Sequence, residues 1–186
     1  MKKLDFNEQN LQEAVHVLKN NGIIIFPTET VYGIGCLVSN VDGIKRLFEI
    51  KNRPADKPFQ ILISDIKQVA QFAKEINQTA KDLMTKNWPG PLTLVFKKKP
   101  EVSNLITANK DTVGLRMPDH PLLLKLIKQI GPIAASSANS CGEPAPIDAS
   151  QVKIEADLLL DGGKCKLKRA SKVVEVTEEN LMVIRN

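Results

Sequence analysis

The chain predicts an α/β fold of the α+β type: a single domain, residues 1–186, built on a twisted mixed β-sheet flanked by helices. Three observations carry this. Segments of helical period alternate with short apolar runs along almost the whole chain, the pattern of helices layered on a sheet. The last two runs lie too close together for a crossover helix, so they pair antiparallel and the sheet is mixed. No internal repeat, low-complexity tract or Pro/Gly-rich linker divides the 186 residues, a length at which one core buries roughly 70% of the unfolded surface.

Leu11, Ala14, Val15 and Leu18 share one helical face between a cap at Asn7 and a stop at Gly22. Ile23 to Phe26 is a buried strand that Pro27 ends. A second helix fits Val41 to Lys51, with Ile44, Leu47 and Phe48 inward and a Ser39/Asp42 capping box in front. Phe59 to Ile63 reads as a strand, Asp65 caps a helix through Phe72, and another helix covers Gln78 to Asn87. After the turn Pro89-Gly90-Pro91 come strands at Leu92–Phe96 and Thr112–Met117. Pro121 opens a helix that runs to Ile130, with Gly131 after it. Ile133 to Ser136 is short and apolar, as a central strand is. Asp148 caps a brief helix, Leu158 to Leu160 is a strand, and Val173–Val176 with Met182–Arg185 form the closing hairpin.

Hydrophobic residues make up 42% and charged ones 25%, which excludes a disordered or fibrous chain. No apolar run approaches the ~20 residues of a membrane span. Asp5, Glu8 and Glu13 follow Met1-Lys2-Lys3 at once, leaving no signal-peptide stretch. Cys36, Cys141 and Cys165 are odd in number and widely spaced, so they suggest neither a disulfide framework nor a zinc site. The expectation is a soluble, reduced, cytoplasmic protein with no membrane partner. The net charge of +5 fits an anionic partner such as a nucleotide or RNA, and equally a solvated basic surface. Only Arg46, Arg53, Arg116, Arg169 and Arg185 are arginines in a lysine-heavy chain; each raises the question whether a planar two-pronged donor is needed there, though a biased genome also sets the ratio.

Familiar catalytic signatures are missing. There is no phosphate-loop motif, and Gly33-Ile34-Gly35 lacks the third glycine of a dinucleotide fingerprint. His16 lies in the first helix and His120 reads as the cap of the helix at Pro121, which argues against a Ser-His-Asp or Cys-His hydrolase. Acidic residues show no cluster suited to an all-protein metal site, which leaves Mg²⁺ held through substrate phosphates.

Three polar segments interrupt the apolar strands. Phe26 to Gly35 places hydroxyls and glycines at a strand end, for ligand contact or for a turn in which Thr hydroxyls bond backbone. Lys51-Asn52-Arg53-Pro54-Ala55-Asp56-Lys57-Pro58 leaves a helix C-terminus, where cations complement the helix dipole or, held by the two prolines, grip a polyphosphate. Ser136 to Pro146 packs short donors and acceptors after a strand, more than a turn needs. Cys141 has no histidine or cation beside it in sequence and reads as a small packing residue.

Together these words resemble the YrdC/Sua5/TsaC family, the L-threonylcarbamoyladenylate synthases. The matches are Pro27-Thr28-Glu29-Thr30-Val31-Tyr32-Gly33, Lys51-Asn52-Arg53 with Lys57-Pro58, Trp88-Pro89-Gly90-Pro91-Leu92-Thr93, Gly114-Leu115-Arg116-Met117-Pro118-Asp119-His120-Pro121, and Ser137-Ala138-Asn139 through Pro144-Ala145-Pro146. The length resembles the short TsaC-like form, without the extra C-terminal domain of the longer Sua5 proteins. The resemblance implies a YrdC-like fold with a concave, positively charged cavity. It implies synthesis of threonylcarbamoyl-AMP and pyrophosphate from L-threonine, bicarbonate and ATP with Mg²⁺, for the t6A37 modification of tRNAs reading ANN codons. Its implied partners are tRNA and the proteins of that pathway that accept the adenylate.

By the same resemblance, Lys51, Arg53, Ser137 and Asn139 form the characteristic cavity set, with Lys51 and Arg53 catalytic. Thr30, Arg116, Ser137 and Ser171 match positions that hold threonine. Lys51, Lys57, Thr112, Asn139 and Arg185 join Arg53 around ATP. The chain departs from the pattern at Lys172, where a threonine is usual, at Cys141, where a serine is usual, and at Leu62, where some members carry histidine. The implied chemistry needs no protein nucleophile: a carbamate formed from threonine and bicarbonate attacks the α-phosphate, and the protein aligns and neutralises. The contrasting class is a non-catalytic double-stranded RNA- or tRNA-binding or ribosome-maturation protein. The charge permits that class, but aromatics at 4% leave little for base stacking.

Overall fold

Alternation of buried and open positions sets the sheet. In Leu92–Lys97, for example, Leu92, Leu94 and Phe96 are buried in one apolar cluster while Val95 and Lys97 face the other way. The computed structural model describes residues 1–176 and 181–186, so the expected turn at 177–180 lies outside the described residues. The strands are β1 (Lys2–Asp5), β2 (Ile24–Phe26), β3 (Gly33–Leu37), β4 (Gln60–Leu62), β5 (Leu92–Lys97), β6 (Thr112–Arg116), β7 (Ile133–Ser137), β8 (Leu158–Asp161), β9 (Lys172–Val176) and β10 (Leu181–Arg185). They form one sheet in the order β1-β8-β2-β3-β7-β4-β6-β5-β9-β10. The β1–β8, β2–β8, β4–β6 and β5–β9 pairs are parallel and the other five antiparallel, so the sheet is mixed as the closing hairpin required.

Helices α1 (Leu11–Lys19), α2 (Val41–Ile50), α3 (Val69–Phe72), α4 (Gln78–Asn87), α5 (Asn104–Thr107) and α6 (Pro121–Ile130) flank it. α1 and α6 pack on each other and on one face, closing Leu11, Ala14, Leu18, Leu123, Leu126 and Ile127 over Ile24, Phe26, Leu62, Ile133 and Leu158. The opposite face carries the larger cluster, with Ile44 and Leu47 of α2 and Met84 of α4 over Ile25, Ile34, Ile61, Leu94 and Leu115. The first face is only half roofed. Beyond α1 and α6, Gln60, Val95, Gly114, Val173 and Glu175 stay partly open, and there the cavity lies.

Three elements were not expected: the edge strand β1, the short helix α5, and β3. Gly35 has no room for a side chain, since a Cβ there would meet the Ala134 carbonyl oxygen at 2.6 Å. The Ser39/Asp42 capping box is also corrected. Asn40 is the cap, its Oδ1 accepting from Gly43 N at 2.8 Å while its amide donates to Asn21 O at 2.7 Å. Asp65, His120 and Asp148 cap as expected, accepting from Lys67, Leu123 and Ser150 backbone N–H groups. The Asp65 helix begins as a 3₁₀ turn at Ile66–Gln68 before α3.

Candidate active site

The first polar segment forms the floor. Thr28 Oγ1 donates to Val31 O at 2.7 Å and accepts from the Thr30 and Val31 N–H groups at 3.1 and 3.2 Å. The expected Thr-to-backbone turn is therefore present, and it leaves Thr30 facing the cavity. Arg116, at the end of β6, reaches the same place and is 3% exposed. Its Nη2 donates to Glu29 Oε1 at 2.6 Å and to Thr30 Oγ1 at 3.0 Å, and its Nε donates to Gly90 O at 3.2 Å. Burial pulls the Arg116 guanidinium below its ordinary value, and the Glu29 carboxylate opposes that pull.

The second segment leaves α2 through a left-handed residue. Asn52 has φ +47°, and the backbone bonds Arg53 N to Phe48 O and Asn52 N to Glu49 O close a Schellman cap. This turns Arg53 back against the sheet, where its guanidinium donates to Lys57 O and Pro58 O and lies 4.9 Å from the Phe59 ring centre. Lys51 goes inward instead. It is 1% exposed, and its Nζ donates to the Ser137 and Asn139 carbonyls. Burial and then the Arg53 charge push its ammonium down to about 8.

The far wall comes from β5, β9 and β10. Thr93 Oγ1 donates to Gln60 Oε1 at 2.9 Å and meets Ser171 Oγ at 2.8 Å. Arg185 Nε and Nη2 hold the Ser171 carbonyl at 3.0 and 2.8 Å. A bulge places it: Val183 pairs with Val174 but Arg185 with Val173, so Ile184 and Arg185 together oppose one residue and both line the cavity. Burial, and then the charge of Arg116, lower the Arg185 guanidinium. The two arginines sense each other.

Thr30, Arg53, Thr112, Arg116, Ser137, Ser171 and Arg185 thus line one cavity of about 410 Å³. Lys110 adds a fourth cation, and Glu175 is the carboxylate among the lining residues. Three predicted residues are not in that lining. Lys51 sits behind it, as described. Asn139 turns its amide to the Ser140 and Glu143 carbonyls, with Oδ1 buried and unpartnered among the described residues. Lys57, 84 residues away in sequence, donates to Cys141 Sγ at 3.1 Å, which corrects the reading of Cys141 as a small packing residue. It is a partly open thiol on the loop beside Lys57. Sequence reasoning missed Glu29, Gln60 and Thr93 as site residues; the signal was a polar side chain inside an apolar stretch, as in Leu92-Thr93-Leu94. Of the departures, Lys172 is exposed while Ser171 keeps the inward hydroxyl, and Leu62 is buried beneath α1 and α6.

The sequence model of the Sua5/YciO/YrdC family, described as telomere recombination, matches residues 16–186. The chain belongs to that family. It is 39% identical over 189 residues to the threonylcarbamoyl-AMP synthase of Bacillus subtilis, covering 98% of this chain and 55% of that one. It is 41% identical over 185 residues to the threonylcarbamoyl-AMP synthase of Pyrococcus abyssi, covering 96% and 54%. The chain spans about half the length of these two relatives. A putative threonylcarbamoyl-AMP synthase of Methanocaldococcus jannaschii, 31% identical, is covered to 91%. Among solved structures of the family, P. abyssi Sua5 complexed with L-threonine matches with TM-score 0.91 at 40% identity, over 99% of this chain and 56% of that one. E. coli YciO shares the fold at TM-score 0.83 and 23% identity.

Proposed function

We propose that this chain is a threonylcarbamoyl-AMP synthase. It joins L-threonine, bicarbonate and ATP into L-threonylcarbamoyladenylate and releases pyrophosphate, a nucleotidyl transfer in the cytoplasm that serves the t6A37 modification of tRNAs reading ANN codons. The observation that carries this reading is the convergence of Arg53, Arg116 and Arg185 on one hydroxyl-lined cavity, in a chain whose relatives bear that name.

The residues divide the work. Arg116 Nη1, which makes no hydrogen bond among the described residues, takes the threonine carboxylate, and Thr30, Ser137 and Ser171 fix its polar groups. Arg53 and Arg185 offset charge on the phosphates and Thr112 helps place the nucleotide, while Lys57 and Asn139 stand outside the cavity lining and would have to turn from their present partners to join it. Lys51 acts from behind the wall, orienting Ser137 and Asn139 through their carbonyls. The carbamate oxygen attacks the α-phosphorus as the bond to pyrophosphate breaks, so alignment and neutralisation replace a protein nucleophile.

Mg²⁺ suits this site as a companion of ATP. Among the described residues no three His, Cys, Asp or Glu side chains gather to hold an ion by themselves. Bound to the phosphates, the ion adds charge neutralisation. The RNA-binding rival draws little from the Lys97-Lys98-Lys99 run, because the Lys98 and Lys99 ammonium groups already donate to Val102 O and Ala70 O.

The test is incubation with ATP, labelled bicarbonate and L-threonine, followed by mass detection. The expected product is the labelled adenylate, dependent on all three substrates. A folded protein that yields none, and exchanges no pyrophosphate into ATP, overturns the proposal.

A further inference from the structure

Glu29 is buried, charged and only half used. Its side chain is 5% exposed. Oε1 accepts from Arg116, but Oε2 has no hydrogen-bond partner among the described residues. A buried carboxylate ordinarily gathers donors on both oxygens, because an unserved one keeps its full desolvation penalty. Arg116 does not fork onto it. Nη2 is shared between Glu29 and Thr30, Nε goes to Gly90, and Nη1 is unused among the described residues. Each partner of the ion pair keeps one idle end.

The hydroxyl between them has a fixed polarity. Thr28 gives its single hydroxyl proton to Val31 O. In the 2.7 Å contact between the two hydroxyls, Thr30 must therefore be the donor. Thr30 Oγ1 accepts from Arg116, donates to Thr28, and offers the cavity an acceptor alone. This corner presents a free donor edge on Arg116 and, beside it, an acceptor on Thr30 backed by the Glu29 charge.

We infer that Glu29 makes this corner select an α-amino acid carrying both charges over a carboxylate that lacks the ammonium. The inference rests on the proposed threonine site and assigns its charge selection to one residue. Arg116 alone in a low-dielectric wall attracts any carboxylate. Glu29 cancels that field, so a lone anion gains little. A zwitterion places its carboxylate on Arg116 and its ammonium against Thr30, where the Glu29 charge behind the wall favours a cation. Rejection of the deaminated analogue then follows from the Glu29 charge, which an anion without an ammonium leaves uncompensated.

The test compares affinities for L-threonine and for 2,3-dihydroxybutanoate, which carries a hydroxyl in place of the ammonium, by calorimetry in wild type and Glu29→Gln. Glutamine keeps the length and a carbonyl oxygen for Arg116. Wild type should prefer threonine at least about tenfold. In Glu29→Gln, threonine affinity should fall about tenfold while that of the hydroxy acid holds or rises. An equal loss for both ligands is what a merely structural glutamate gives, and it overturns the inference. If the variant does not fold, the wild-type ratio decides: preference of tenfold or more supports the inference, and equal affinities overturn it. A wild type that makes the adenylate without that preference sinks the charge selection alone. A wild type that binds neither ligand and makes no adenylate sinks the proposed function as well.

Discussion

Lys51 and Ser137 stand 86 residues apart in sequence and meet at one hydrogen bond, the buried ammonium donating to the Ser137 carbonyl and, beside it, to that of Asn139. This ties the end of α2 to the end of β7. The group sits near 8 in the folded protein and near 10.5 when free. Between those values the unfolded chain binds more protons, so folding stability contributed by Lys51 rises with pH across the window and is least below it. A neutral amine still carries two N–H donors, so both carbonyls stay served. Urea unfolding of wild type and Lys51→Met across that window should diverge in favour of wild type by up to about 1.4 kcal/mol per pH unit. A constant difference would refute the shifted lysine.

Arg53→Ala should lower kcat by on the order of 10²–10³, the loss of one preorganised charge contact of about 2–4 kcal/mol. Single-turnover adenylate formation measures it. A near-normal rate removes Arg53 from the charge-neutralising role.

Arg185→Ala strips the Ser171 carbonyl of two donors and the cavity of one cation. The KM for ATP should rise about tenfold, with a smaller rise for threonine transmitted through Ser171. Unchanged values for both substrates would place the β10 wall outside the site.

Asn40→Ala should cost about 1–2 kcal/mol of stability, because the Asn40 side chain satisfies the Gly43 N–H and the Asn21 carbonyl at once. Ser39→Ala, at an exposed position, should stay within about 0.5 kcal/mol. Equal thermal shifts for the two variants would contradict the assignment of the cap.

The amphipathic helices were legible because Leu11, Ala14, Val15 and Leu18, or Leu123, Leu126 and Ile127, announce a single buried face. β1 was not, since Lys2-Lys3-Leu4-Asp5 has no apolar alternation and its pairing with Leu158–Asp161 comes from the other end of the chain. β3 was not, because Gly33-Ile34-Gly35 reads as a loop until β2 and β7 are seen to crowd it from both sides. In the site, hydroxyls and cations could be read as words, but the direction of a long side chain could not. Lys51 turns under β7 while Arg53, two residues on, reaches the cavity, and the left-handed Asn52 between them decides it. Glu29 gave no sign of its idle oxygen, which exists only once Arg116 arrives from β6.

The strand that carries Arg185 lies at the margin of the sheet and, among the described strands, pairs with β9 alone. Its amide protons should exchange with solvent by detachment of a single ribbon, well before the ladder around β7 lets go. If the proposed nucleotide bridges Arg185 to Arg53, its binding should hold that ribbon in place and slow its exchange.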